Sequence, residues 1–441
     1  MTAMLQTRKP LNELFRNAGF ARVFAAGLAS ALGSSISGIC LIWIIWISTG
    51  DPFDVAYLAI SSVIAGIVFS VFTGTLVDRY NRKTLMITSD LVRALALLTV
   101  FMFIEFSTFN LFIVLGMNFV VKAFNTVFRP SEHAIMPTLV KADMLSTANG
   151  LVRSGRQAVS FIGTSAGGIF IITTGAIQGI GVNAITFIVS AVLLLGLSHS
   201  HSKQEFSGSK GVIKAYFSDI RSGFTWLYRA KGLLQMTFSA MAFNFCITVI
   251  DTFLVIYATT VLNGSGFIFA SMLSAEVAGT ILGSLLVARL RSERWAGIAW
   301  TVPYGIFAGS IILIMVLVSN VPVAIICMFT LGIMGGFAGT SWLTATQLLV
   351  PGHMQGRFFG IDAMGAMAII PLAQFEGAVL IGSIGIQNAY IVAASLWIIL
   401  GAIFIIPKAT RRIGYPPSSE DAGIYSQDRL DGHGQQTPNL R

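Results

Sequence analysis

Nine ionisable side chains, Asp90, Arg93, Lys122, Arg153, Arg156, Asp251, Glu276, Asp362 and Glu376, fall within long apolar stretches of this sequence. A charge held at the mid-depth of a bilayer costs at least about 2.5 kcal/mol, which makes each of them a candidate for function. A carboxyl group so placed can load and release a proton as its access to water changes. Counting 1.5 Å per residue from Gly266 puts Glu276 about 15 Å deep, near a bilayer midplane. Glu276 is therefore the leading proton-coupling candidate, with Lys122 or an arginine as the partner it would have in a purely structural role. Asp251 and Glu376 rank behind it because they sit nearer the ends of their stretches, where reaching water is cheap. Asp90 and Arg93, three residues apart, share one helix face. Together with Arg153, Arg156, Arg357 and Asp362 they form a candidate inner-gate network, while the two arginines at i, i+3 offer the alternative of a seat for a carboxylate or phosphate. Asn118, Asn125, Phe243, Asn244 and Gln374 are candidates for an adaptable, largely apolar binding pocket.

The elements that must position these groups are apolar runs of about 20 residues, each long enough to cross a hydrocarbon core of roughly 30 Å. Twelve are predicted, at 24–48, 54–77, 84–104, 109–129, 148–173, 175–197, 233–261, 266–288, 297–318, 321–349, 357–382 and 386–406. The connections near Asp51, Glu105, Thr174, Asn263, Asn320 and Ser383 carry no Lys or Arg, whereas those between them are basic. By the positive-inside rule both termini are cytoplasmic, as expected of a multi-pass protein of the plasma membrane. Residues 199–232 separate a first six-helix half (1–198) from a second (233–407), a plan common among transporters built from repeats. Within that middle segment Ile213, Phe217, Ile220, Phe224 and Leu227 make an apolar stripe, predicting an interfacial helix on the inner leaflet. Residues 408–441 are rich in Ser, Pro, Gly, Gln and Asp and are expected to form a disordered tail.

Composition narrows the function classes. Hydrophobic residues make up 55% and charged residues 11% of the 441, against about 25% charged in soluble domains, so the bilayer is the solvent. The net charge of +9 follows the topology and gives no reason to expect nucleic acid. Cys40, Cys246 and Cys327 lie far apart in apolar runs, and His199 and His201 stand in a polar loop without other ligands, so neither a disulfide framework nor a metal site is expected. No Lys follows a Gly, which removes the core of a phosphate-binding loop, and no segment suggests a cofactor. No Ser/His/Asp grouping or paired carboxylates point to an enzyme.

The turn Asp78-Arg79-Tyr80-Asn81-Arg82-Lys83, preceded by Gly74, packs one acid and three bases between the second and third runs. This Gly-x-x-x-Asp-Arg-x-x-Arg-Lys spacing resembles the signature of the major facilitator superfamily, with Asn81 in place of the usual Gly; Asn tolerates a left-handed backbone. Arg129-Pro130-Ser131, His133-Ala134, Pro137-Thr138-Leu139-Val140 and Ala148-Asn149-Gly150-Leu151 are similar to the branch holding macrolide-efflux proteins and the enterobactin exporter, as are Asp90-Leu91-Val92-Arg93 and Gly356-Arg357. Gly163-Thr164-Ser165-Ala166-Gly167-Gly168 resembles the antiporter motif, with Thr164 where a proline belongs; close helix packing explains Gly163, Gly167 and Gly168 equally well.

The resemblance implies an all-α, twelve-helix facilitator fold with alternating access, in which Gly74, Asp78, Arg79, Arg82 and Lys83 latch an inner gate. It implies export of a small amphipathic drug-, macrolide- or siderophore-like molecule, with a proton as the coupling ion. An uptake permease or uniporter of the same fold, or a non-transporting membrane sensor, are the alternatives.

Overall fold

The computed structural model describes residues 14–106, 109–141, 144–197, 224–228, 230–290, 302–350 and 354–405, and these are helices joined by short turns. In chain order they are α1 (Ala18–Thr49), α2 (Pro52–Arg79), α3 (Arg82–Phe106), α4 (Leu111–Leu139), α5 (Leu145–Thr173) and α6 (Ala176–Leu195). After 224–228 come α7 (Lys231–Thr252), which continues through Leu254–Ile256 into a wide turn at Tyr257–Val261, and α8 (Gly266–Leu290). A second wide turn, Val302–Phe307, opens α9 (Ala308–Val318), and α10 (Val321–Leu349) follows. The last helical stretch, Gln355–Ile405, breaks at Gly385, whose φ of 78° and ψ of 162° suit only glycine, giving α11 (355–384) and α12 (386–405). Twelve crossings result among the described residues. Most of the stripe predicted as an interfacial helix, and the tail 408–441, lie outside those residues.

Local chemistry sets the turns. Gly50 ends α1 in the left-handed region at φ 64°. Asp51 caps α2 by accepting from Phe53 N at 2.8 Å, with Pro52 at the first helical position. At the opposite end of the bundle, basic side chains satisfy the last carbonyls of neighbouring helices. Lys83 Nζ donates to Leu195 O and Leu197 O (2.8 and 2.7 Å), Arg82 to Ala134 O (2.8 Å) and Arg22 to Gly196 O. The carbonyls of Leu195, Gly196 and Leu197, at and just beyond the end of α6, have no later helical N–H to accept from.

Helix pairing repeats with an offset of six. α1 packs on α5 as α7 packs on α11, α2 on α4 as α8 on α10, and α3 on α6 as α9 on α12. The halves meet through α5 against α8 and α2 against α11, again the same pair of positions exchanged. Small residues set the closest approaches. A side chain at Gly279 or Gly283 would run into the backbone of Phe329 or Ile333 on α10, and one at Gly332 or Gly336 into that of Glu276 or Thr280 on α8. The main apolar core runs through both halves, with Phe243, Phe253, Tyr257, Tyr390 and Trp397 fully buried in the second.

Candidate functional site

A cavity of about 650 Å³ opens at mid-depth of the bundle. Ser30, Ser34, Ser35 and Ser37 on α1, Asn118, Lys122, Asn125 and Arg129 on α4, and Arg156, Gln157 and Ser160 on α5 supply its polar wall. The α4 residues recur at spacings of four and three, so one helix face carries them all. Leu41, Ile42, Val55, Leu58, Val63, Leu97 and Val121 supply the apolar remainder. Across from them the second half contributes Asp251, Thr252 and Gln374.

Two ion pairs border the cavity. Arg93 (1% exposed) bonds Asp90 (0%) within α3, and Ser190 Oγ of α6 donates to the other Asp90 oxygen at 2.6 Å. The guanidinium lies 4.6 Å from the Phe128 ring centre and 4.2 Å from that of Phe187, donates to Ser89 O and Ser30 Oγ (both 3.2 Å), and reaches Asn125 Oδ1 at 3.5 Å. This one side chain ties α1, α3, α4 and α6 together, and charge burial is tolerable because nearly every donor has a partner. The second pair joins Arg156 of α5 to Glu132 of α4.

Glu132 was not anticipated. Pro130 and Pro137 suggest that a helix stops at Arg129, yet α4 runs on to Leu139 and carries Glu132, 1% exposed, into the bundle. Its proximity in sequence to Arg129-Pro130-Ser131 was the available signal.

The remaining expected residues distribute as follows. Arg153 is exposed, outside both ion pairs, and Arg357 and Asp362 lie on α11 in the opposite half, so the expected network contracts to Asp90, Arg93 and Arg156 and gains Glu132. Asn118 donates to Ser61 Oγ and Ser62 Oγ, each at 2.9 Å, and with Asn125 and Gln374 lines the cavity. Phe243 instead packs edge-on against Tyr304 and Phe404 in the core, and Asn244 is exposed away from the cavity wall. Asp251 reaches the cavity, whereas Glu276 is not among its lining residues and Glu376 is exposed on α11. Asp251 Oδ1 and Gln374 Oε1 are both buried without a hydrogen-bond partner among the described residues.

The glycines of α5 serve packing. A side chain at Gly163 would come within 2.7 Å of Leu32 O and one at Gly167 within 3.1 Å of Ile36 O, both on α1, while Gly168 abuts Ala270 of α8. Gly74 and the side chains of Asp78 and Arg79 lie outside the described residues, although α2 includes their backbone. Asn81 does not take up the left-handed conformation expected of it; it caps α3 by accepting from Lys83 N at 2.9 Å and Thr84 N at 3.4 Å.

Comparison with known proteins decides what such a bundle is. The model of the Major Facilitator Superfamily matches residues 23–374. The chain belongs to that superfamily. It is 24% identical to an uncharacterised MFS-type transporter, YfiS, of Bacillus subtilis (strain 168), over 90% of this chain and 94% of that one. It is 20% identical to macrolide efflux protein A of Streptococcus pyogenes (89% and 97% covered) and 23% identical to a putative bacilysin exporter, BacE, of Bacillus amyloliquefaciens (86% and 90%). Among solved structures, a bacterial homologue of the human lysosomal transporter Spinster superposes with a TM-score of 0.70 at 11% identity, covering 92% of this chain and 99% of the other. A POT family transporter in complex with 5-aminolevulinic acid gives 0.67 at 11% identity, with 88% and 95% covered. This major facilitator chain is thus a multi-pass membrane transporter, and its cavity lies where the two halves face each other.

Proposed function

We propose that this transporter exports a small amphipathic molecule across the cell membrane, by alternating access coupled to proton counterflow, with both termini in the cytoplasm. The observation that carries the reading is Asp251, a carboxylate on the wall of the mid-depth cavity with one buried oxygen that has no hydrogen-bond partner among the described residues. Water in the open cavity can hydrate the face of the carboxylate that lines it. When the cavity closes and water leaves, a bare carboxylate in hydrocarbon is too costly, and binding a proton removes the charge. Release on the other side then links each cycle to one proton. The direction of transport draws on two relatives whose names are those of efflux proteins.

Inverted vesicles from cells overproducing the protein test this reading with compounds selected in an efflux screen. Accumulation should require an imposed proton gradient. Asp251→Asn should lower gradient-driven accumulation at least about tenfold while preserving exchange of labelled for unlabelled compound, because only the coupling carboxylate is lost. Accumulation that persists after the gradient is collapsed would overturn proton coupling.

A further inference from the structure

We infer that the transported molecule carries an anionic group, a carboxylate or phosphate, seated against Lys122 and Arg129 on the wall built by the first half. The inference rests on the transporter reading above and adds to it a charge for the cargo.

The charges around the cavity do not balance. Four cations line the cavity, Arg93, Lys122, Arg129 and Arg156. Two acids accompany them, and both are already engaged, Asp90 with Arg93 and Glu132 with Arg156. Four less two leaves a surplus of two cations: Lys122, which has no acid beside it among the described residues, and Arg129, seven residues on along the same face of α4, which has to share Glu132 with Arg156. Asp251 stands across the cavity and has no ion pair among the described residues, so it does not neutralise them. An unpaired lysine at this depth is expensive in hydrocarbon and tolerable only beside water or an anion. The open cavity offers water. A closed, drier one must offer the anion, and the only source is what the cavity encloses.

The surroundings suit such a group. Asn125 lies on α4 between the two cations, and Ser34, Ser35, Ser160 and Gln157 face the same space, so a carboxylate or phosphate would find hydroxyl and amide donors beside its counter-charges. The apolar surface formed by Leu41, Ile42, Val55, Leu58 and Val63 would hold the rest of an amphipathic molecule.

Calorimetric titration of the full-length protein in neutral detergent with three matched probes tests the inference: naphthylacetate, its uncharged amide, and naphthylmethyl-trimethylammonium. The carboxylate should bind at least about tenfold more tightly than the amide, and the cation least well. Lys122→Gln should remove that preference and Lys122→Arg should keep it, whereas Arg153→Gln, on the exposed face of α5, should change nothing. Equal binding of the three probes, binding by none, or tightest binding of the cation would overturn the inference, as would a Lys122→Gln protein that melts normally and retains the preference. Displacement of naphthylacetate by phosphatidylglycerol would assign the seat to a lipid headgroup and overturn its assignment to cargo. Because the titration needs no proton gradient, its outcome is independent of whether transport proves to be coupled.

Discussion

Arg93 and Glu132 show how a membrane interior accommodates charge. Each is buried, each has its opposite charge on a neighbouring turn or helix, and neither faces hydrocarbon alone. Removing one member leaves the other uncompensated, so Arg93→Met or Glu132→Gln should destabilise the protein by about 3–5 kcal/mol, read as a fall in detergent melting temperature. The double substitution Glu132→Gln with Arg156→Gln should recover part of that loss, since the stranded charge is gone as well; a fully additive loss would argue against the pairing. Asp251 and Glu276 separate along a different line. The first lines the cavity and the second does not, so Glu276→Gln should impair gradient-driven accumulation less than Asp251→Asn does, compared in the same vesicles. Depth along a helix was legible in the sequence and favoured Glu276. Which way a helix turns its acid was not, because both α7 and α8 are apolar on all sides and carry no stripe to orient them.

At the scale of elements, the apolar runs gave the twelve crossings, and the errors lie where local punctuation is overruled by packing. Pro130 and Pro137 are ordinary stop signals, but packing overrules them: Ser131, Glu132, Ile135 and Met136 are buried against neighbouring helices, and α4 continues through both prolines. That extension is what brings Glu132 beneath Arg156. Asn81 erred in the other direction, an expected left-handed turn residue that serves as a helix cap, and Asn81→Ala should therefore cost about 1 kcal/mol of stability, as cap losses do, by the same melting measurement. The α8 to α10 contact is the most size-restricted in the second half. Gly332→Leu would push a side chain into the backbone of Glu276 and should sharply reduce the yield of monodisperse protein on gel filtration, whereas Gly339→Ala, which meets nothing, should not.

Across the whole molecule, the repeat of helix pairs at an offset of six is plain in space and faint in the sequence. Pairing depends on which faces are small and apolar, and many sequences meet that condition. The halves touch at the end of the bundle whose connections lack Lys and Arg. Trp46 Nε1 donates to Thr259 Oγ1 at 2.7 Å, Phe53 meets Phe375 edge-on at 6.1 Å, and Ser165 Oγ bonds Ser274 Oγ at 2.9 Å. Opening that end requires these contacts to part. Cysteines placed at 165 and 274, where the two serine hydroxyls already lie 2.9 Å apart, should cross-link under mild oxidation and stop transport, with recovery on reduction; full activity of the cross-linked protein would show that this end need not open. The cavity itself is unevenly shared, since all but three of its 28 lining residues come from the first half. A chimera that takes α1–α6 from this chain and the remainder from a relative should therefore inherit this chain's choice of cargo, and new cargo preferences could evolve by change in one half while the other is held fixed by the needs of the cycle.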